Sequence, residues 1–168
     1  LPPFFESNSS VRSADYDRDG DLDIFVSGRN VPFAYPQGTV SRLFRNDSKI
    51  GSIKYTDVTA QVAPGLLTKS LTCEGIWSDM NNDGWVDLVL AGEFSPVQIY
   101  ENQKGKLSPL KDTGLDALTG LWGSITSADM DQDGDLDLVV GNMGKNTILR
   151  ASKSQPVEIL HGDLDGNG

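Results

Sequence analysis

The chain is expected to be all-β, made of four-stranded antiparallel sheets stacked as β-propeller blades, and three observations lead there. An Asp-rich stretch of nine residues recurs in register along the chain. Each complete copy is preceded by a short strand-like run and followed by alternation onto a second strand. Gly and Pro interrupt every window long enough for an amphipathic helix, so no helix of useful length is expected.

The first copy carries Asp15, Asp17, Asp19, Gly20, Asp21 and Asp23, and the second Asp79, Asn81, Asp83, Gly84, Trp85 and Asp87. The third carries Asp129, Asp131, Asp133, Gly134, Asp135 and Asp137. A fourth begins at Asp163, continues through Asp165, Gly166 and Asn167, and stops at Gly168 before its ninth position. Starts at 15, 79, 129 and 163 are unevenly spaced, which implies insertions between loops.

The strands follow in order. In the first unit they are 10–14, 22–26, 43–46 and 54–58, with a polar turn at 47–49. In the second they are 74–78, 86–90, 99–102 and 106–108, with a turn at 103–105. The third unit opens with 124–128 and 136–140. The blades are placed at 10–58, 73–109 and 122–160, followed by the incomplete loop 163–168. Sheets of this kind recurring at roughly 40–50 residues mark propeller blades, and a ring takes about 4–8 of them. About three blades therefore make a partial propeller, and the chain reads as a segment of a larger protein. Its start, Leu1-Pro2-Pro3-Phe4-Phe5, reads as a processed or trimmed end.

Net charge is −10, which argues against nucleic acid or an anionic membrane surface as partners. The acidity is local, since 15 of the 24 acidic residues are Asp in the four loop copies. No apolar stretch approaches the length of a membrane span. Cys73 has no intrachain disulfide partner and is expected to be a small buried residue.

Within each complete loop, positions 1, 3, 5 and 9 supply side-chain oxygens and position 7 (Asp21, Trp85, Asp135) would supply its backbone carbonyl. Calcium takes about 6–8 oxygens, so this set plus a water or a bidentate carboxylate suffices. Gly at position 6 permits the reversal. Positions 8 and 10 are apolar and are expected to be buried by a strand of period two while position 9 turns back to the ion. An EF-hand would need a Glu at position 12 between two helices, whereas position 12 is Val26, Leu90 or Val140. A lone Asp-Gly cluster is usually a solvated turn. Three copies in register speak against that, because carboxylates about 4 Å apart repel by about 1 kcal/mol even in water. Three complete calcium sites and one incomplete one follow.

Taken with Leu43-Phe44-Arg45-Asn46, Tyr55-Thr56-Asp57-Val58-Thr59, Ile99-Tyr100-Glu101-Asn102 and Gly105-Lys106-Leu107, these loops resemble FG-GAP/VCBS repeats. Such repeats build the integrin alpha-subunit propeller and occur in many bacterial secreted or surface proteins. The stretch 141–168 further resembles bacterial VCBS proteins of the ASPIC/UnbV-associated kind. The resemblance implies a complete ring of about seven blades, calcium between first and second strands, and a role in adhesion or ligand recognition outside the cytoplasm. That location is extracellular, at the cell surface or periplasmic. It does not imply an enzyme. Weak calcium binding, at roughly 10⁻⁴–10⁻³ M, suits extracellular modules.

In an up-and-down blade the connections between second and third strands lie opposite the Asp loops. These are 28–40, 92–96 and 141–146, joined on that face by the links 59–71 and 111–121. The longest holds Arg29, Phe33 and Tyr35, which are candidates for contact with a protein or glycan ligand. The alternative is that Phe33 and Tyr35 pin the loop onto its own blade. His161 is expected to be structural, on a strand before the fourth loop, and Trp77 and Trp122 to pack between blades. No nucleophile and base pattern is evident. A piece of a propeller enzyme, such as a polysaccharide lyase or a quinone-dependent dehydrogenase, and a purely structural scaffold are the alternatives to recognition.

Asn81 replaces a carboxylate, so the second loop should bind calcium more weakly than the other two. Calcium titration of single-loop knockouts checks this ranking, and equal occupancy of all three loops would overturn it.

Overall fold

The computed structural model describes residues 6–144, 147–148, 150–152 and 154–162. Its architecture is all-β and antiparallel, and its sheets do not close into a ring. The first blade holds β1 (Ser7–Ala14), β2 (Asp23–Asn30), β3 (Arg42–Asn46) and β4 (Tyr55–Asp57), paired in sequence order. The second holds β5 (Leu71–Ser78), β6 (Asp87–Ser95), β7 (Gln98–Asn102) and β8 (Leu107–Pro109), again with consecutive strands paired. The hairpin β9 (Gly120–Ala128) and β10 (Asp137–Asn142) follows. At its far end β6 also pairs with β9, Glu93 opposite Leu121 and Ser95 opposite Gly120, which joins the second and third units.

Each Asp loop connects a first strand to a second, so the loops and the 31–41 connection lie at opposite ends of the strands. In the first hairpin Ala14 pairs with Asp23, and in the second Ser78 pairs with Asp87. The register therefore places the ninth loop residue at the first rung of the ladder. From Asp87 to Ser95, β6 spans roughly 26 Å at about 3.3 Å per residue, which separates the two ends.

The alternation expected for the second strands takes a different form from one buried and one solvated face. β6 is buried from Asp87 to Gly92 without interruption. Leu88 and Leu90 enter one apolar cluster with Tyr16, Phe25 and Leu43 of the first blade, while Val89 and Ala91 enter another with Ile125 of the third unit. Period two is retained, but both faces are covered because blades stack on either side. Trp77 lies in the first of these interfaces, stacked on Tyr16 at 6.5 Å and edge-on to Phe25 at 6.4 Å. Trp122 packs against the second.

The 59–71 link contains a short helix, α1 (Thr59–Val62), and a 3-10 turn, Pro64–Leu67. Four residues are too few to show a helical period, and isolated helices of that length are unstable. Tertiary contacts hold them: Ala63 and Leu66 are buried in the first cluster, and Thr59 Oγ1 accepts the Leu43 N–H at 2.9 Å. Beyond Asn142 the described residues include an isolated bridge between Ser152 and Gln155. His161 is exposed and lies in no strand, contrary to its expected place. Among the described residues no helix is long and apolar enough to cross a membrane.

The first interface is closely fitted at Gly75, where an added Cβ would lie 2.6 Å from Phe25 Cε1 and 2.9 Å from Leu90 Cδ2. Gly75→Ala should therefore cost about 1–3 kcal/mol by overpacking. Urea unfolding measures this, and an unchanged midpoint would mean that the blades are not stacked through this contact.

Candidate metal centre

The three loops share one hydrogen-bond scheme. The first carboxylate folds the loop around itself: Asp15 accepts the N–H groups of Asp19 (3.1 Å) and Gly20 (3.0 Å), and Asp79 those of Asp83 (3.1 Å) and Gly84 (2.8 Å). Asp129 accepts from Gln132 (2.7 Å) and Gly134 (3.2 Å). The carboxylate at position 5 then accepts the N–H of position 7, in the pairs Asp19 with Asp21 (3.0 Å), Asp83 with Trp85 (2.8 Å) and Asp133 with Asp135 (2.9 Å).

The backbone reverses twice. Gly20, Gly84 and Gly134 have φ of 95°, 84° and 98°, and position 4 is also left-handed, with φ of 61° at Arg18, 56° at Asn82 and 65° at Gln132. The second reversal was hidden in the sequence because Asn82 alone among these is a residue type that favours that region.

Position 9 departs from its expected surroundings. Asp23 and Asp87 are fully buried, whereas Leu22 at position 8 is 58% exposed. The strand starts at position 9, so position 8 still belongs to the solvent-facing end of the loop. Asp23 accepts the N–H of Tyr16 through Oδ2 (3.2 Å) and that of Asn46 through Oδ1 (2.8 Å). Asp87 does the same with Met80 (2.9 Å) and Asn102 (2.7 Å). One carboxylate thus ties loop position 2 to the end of the third strand. Asp137 holds Met130 (3.0 Å) but is exposed.

Burial pushes the Asp23 carboxyl up to about 6 against the pull of its two N–H donors, and the charges of Asp17 and Asp19 add to the rise. Asp87 and Asp17 are also raised, by burial first.

The first and third loops fit a divalent cation. Asp15, Asp17 and Asp19 each bring an oxygen within 4.8 Å of the others, as do Asp129, Asp131 and Asp137. Asp17 Oδ1 is buried without a hydrogen-bond partner. An orphaned carboxylate oxygen among other carboxylates is costly unless a cation neutralises it, and oxygen donors alone suit a hard ion. In the second loop Asn81 donates to Asp83 Oδ2 at 3.3 Å, engaging an oxygen that an ion would otherwise use. Asp163, Asp165 and Asn167 lie outside the described residues.

At the other end of the strands, Glu93 gathers two of the contact candidates. Its carboxylate accepts Arg29 Nη2 at 2.6 Å and the Tyr35 hydroxyl at 2.9 Å. Arg29 also meets Cys73 Sγ, whose thiol is pushed up by burial, so Cys73 is half-buried beside a cation rather than enclosed in an apolar core. Tyr35 therefore pins its loop to the second blade, not to its own. Phe33 is fully exposed with φ of 63°. A cavity of about 290 Å³ lies beside this cluster, lined by Pro36, Ser41, Leu66, Lys69, Phe94 and Gln98 among others. Glu93 escaped the sequence reading because nothing near it repeats.

The model of the FG-GAP-like repeat matches residues 79–140, from the first ligand position of the second Asp loop into β10. The chain carries an FG-GAP-like repeat. It is also similar to integrin alpha-3 of Cricetulus griseus, with 32% identity over 110 residues that cover 53% of the chain. The chain spans a tenth of that relative's length. The matched FG-GAP segment contains the second and third Asp loops, so the cluster of Asp129, Asp131 and Asp137 lies inside the repeat, while that of Asp15, Asp17 and Asp19 lies before the matched residues.

Asp23→Ala should cost roughly 1–3 kcal/mol for the buried Tyr16 N–H it strands, and less for the part-buried Asn46 N–H. Asp21→Ala, at an exposed side chain, should stay within about 0.5 kcal/mol. Urea unfolding in chelator separates the two, and equal losses would refute the assignment of position 9 as the buried tie.

Proposed function

We propose that this propeller segment holds calcium in its Asp loops as a structural ion and recognises a protein or glycan through the opposite face, outside the cytoplasm. The observation that carries the calcium reading is the convergence of Asp15, Asp17 and Asp19 together with a buried Asp17 oxygen that has no hydrogen-bond partner. When bound, the ion would supply positive charge that offsets the repulsion of these carboxylates. The chain's own residues do the rest: Asp15 and Asp19 order the loop backbone, and Asp23 fixes it to the sheet.

Similarity to integrin alpha-3 supports a site of action outside the cytoplasm and a role in adhesion. The 31–41 connection of the first blade brings Tyr35 and the exposed Phe33 beside Glu93 of β6, a face built from two blades. Such a face suits binding better than catalysis. The sole thiol, Cys73, is raised by burial and so is a poor nucleophile.

Two experiments test this. Millimolar calcium, about one- to tenfold over a Kd of roughly 10⁻³–10⁻⁴ M, should raise the melting temperature relative to chelator, through about 0.4–1.4 kcal/mol of stability per site, and Asp17→Asn should remove one ion in equilibrium dialysis. Identical melting with and without calcium would end the calcium reading. For recognition, Phe33→Ala in the full-length protein should leave melting unchanged and abolish signals on a glycan array or in pull-down. Undiminished binding would remove this face from the function.

A further inference from the structure

Asn102, at the end of β7, is fully buried and uses every polar atom of its side chain. Its Oδ1 accepts the Gly105 N–H at 2.8 Å, and its Nδ2 donates to Val86 O at 2.9 Å, in the Asp loop of its own blade. The same Nδ2 donates to Tyr16 O at 2.8 Å, across the interface and inside the Asp loop of the first blade. Tyr16 sits between Asp15 and Asp17, and its N–H is held by Asp23.

Two further contacts cross the same gap. A Cβ added at Gly105 would lie 3.3 Å from Asp17 Cβ, and the Arg18 guanidinium lies 5.1 Å from the centroid of the Trp85 ring.

Asn46 supplies an internal comparison. It ends the third strand of the first blade as Asn102 ends that of the second, its N–H goes to the ninth-position carboxylate, and its Oδ1 accepts Ser48 N–H at 3.0 Å. It is half-buried, and its Nδ2 meets no loop carbonyl among the described residues. The backbone bond to the ninth-position carboxylate and the turn N–H on Oδ1 repeat, while the bonds to loop carbonyls, in its own blade and in the one before it, are made by Asn102; among the described residues no blade precedes that of Asn46.

We infer that Asn102 is a positioning residue for the first Asp loop, which it staples to the second blade. A peptide unit is planar, so fixing the Tyr16 carbonyl also fixes the plane from which Asp17 departs. The loop that presents Asp17 is thereby ordered by a side chain 86 residues away. The staple stands without any ion. Resting on the calcium reading above, it has a further consequence: ion binding in the first blade and docking of the second strengthen each other by the same factor.

Amide hydrogen exchange in chelator tests the staple directly. Asn102→Leu should speed exchange of Tyr16, Asp19 and Gly20 about tenfold, leave Gly134 and Asp135 in the third loop unchanged, and have no counterpart in Asn46→Leu. Unchanged exchange in the first loop, or an equal rise in the third, would overturn the inference. Asn102→Ser, too short to reach Tyr16 O, serves if the Leu variant does not fold. With calcium, the first loop of Asn102→Leu should bind about tenfold more weakly and the third as before, and calcium should slow Gly105 exchange in the unmodified protein but not in Asp17→Asn. Calcium binding that Asn102→Leu leaves intact would refute the coupling, whereas no calcium binding by the unmodified protein would refute the calcium reading and leave the metal-free exchange to decide the staple.

Discussion

A blade with two apolar faces can bury neither by itself. That constraint organises this protein. Leu88 and Leu90 of β6 point to the first blade and Val89 and Ala91 to the third unit, so each unit is completed by its neighbours. The stacking brings Gly75 against Phe25 and places Trp77 between Tyr16 and Phe25. It also brings the Asp loops of successive blades side by side, with Asn82 Nδ2 donating to Asp135 Oδ1 at 2.6 Å. The loops are therefore part of the interfaces and not appendages of separate hairpins.

Within a loop, the carboxylate at position 9 gathers what the turn leaves unpaired. Asp23 and Asp87 each satisfy one loop N–H and one N–H from the third strand, so a buried negative charge is stabilised by backbone donors. Burial still raises both groups. A cation near Asp17 would lower that electrostatic cost, which gives the proposed ion a structural part with no chemistry to perform. The far end of the strands has a different character, with Glu93 binding Arg29 and Tyr35 around a cavity while Phe33 projects into solvent.

Much of this was legible in the chain. The in-register Asp copies and the apolar runs beside them identify antiparallel hairpins, because strand periodicity and turn chemistry are local properties. The short helix and the 3-10 turn in the 59–71 link left no periodic trace, since Ala63 and Leu66 are held by packing from elsewhere. Tyr35 was readable as a loop aromatic, but its partner Glu93 is 58 residues away. Asn102 looked like the end of a strand, and nothing local distinguishes it from Asn46.

The sequence by itself determined the all-β class, the loop frame and which loop positions carry carboxylates, all of which depend on residues within one hairpin. Only the tertiary structure decided that Asp23 and Asp87 at position 9 are buried while Leu22 at position 8 is exposed, and that Arg29 and Tyr35 meet on Glu93. It alone decided that Asn102 reaches the first blade's loop. These outcomes depend on which blade lies against which, and a contact between surfaces far apart in the chain is invisible to a pattern read along it.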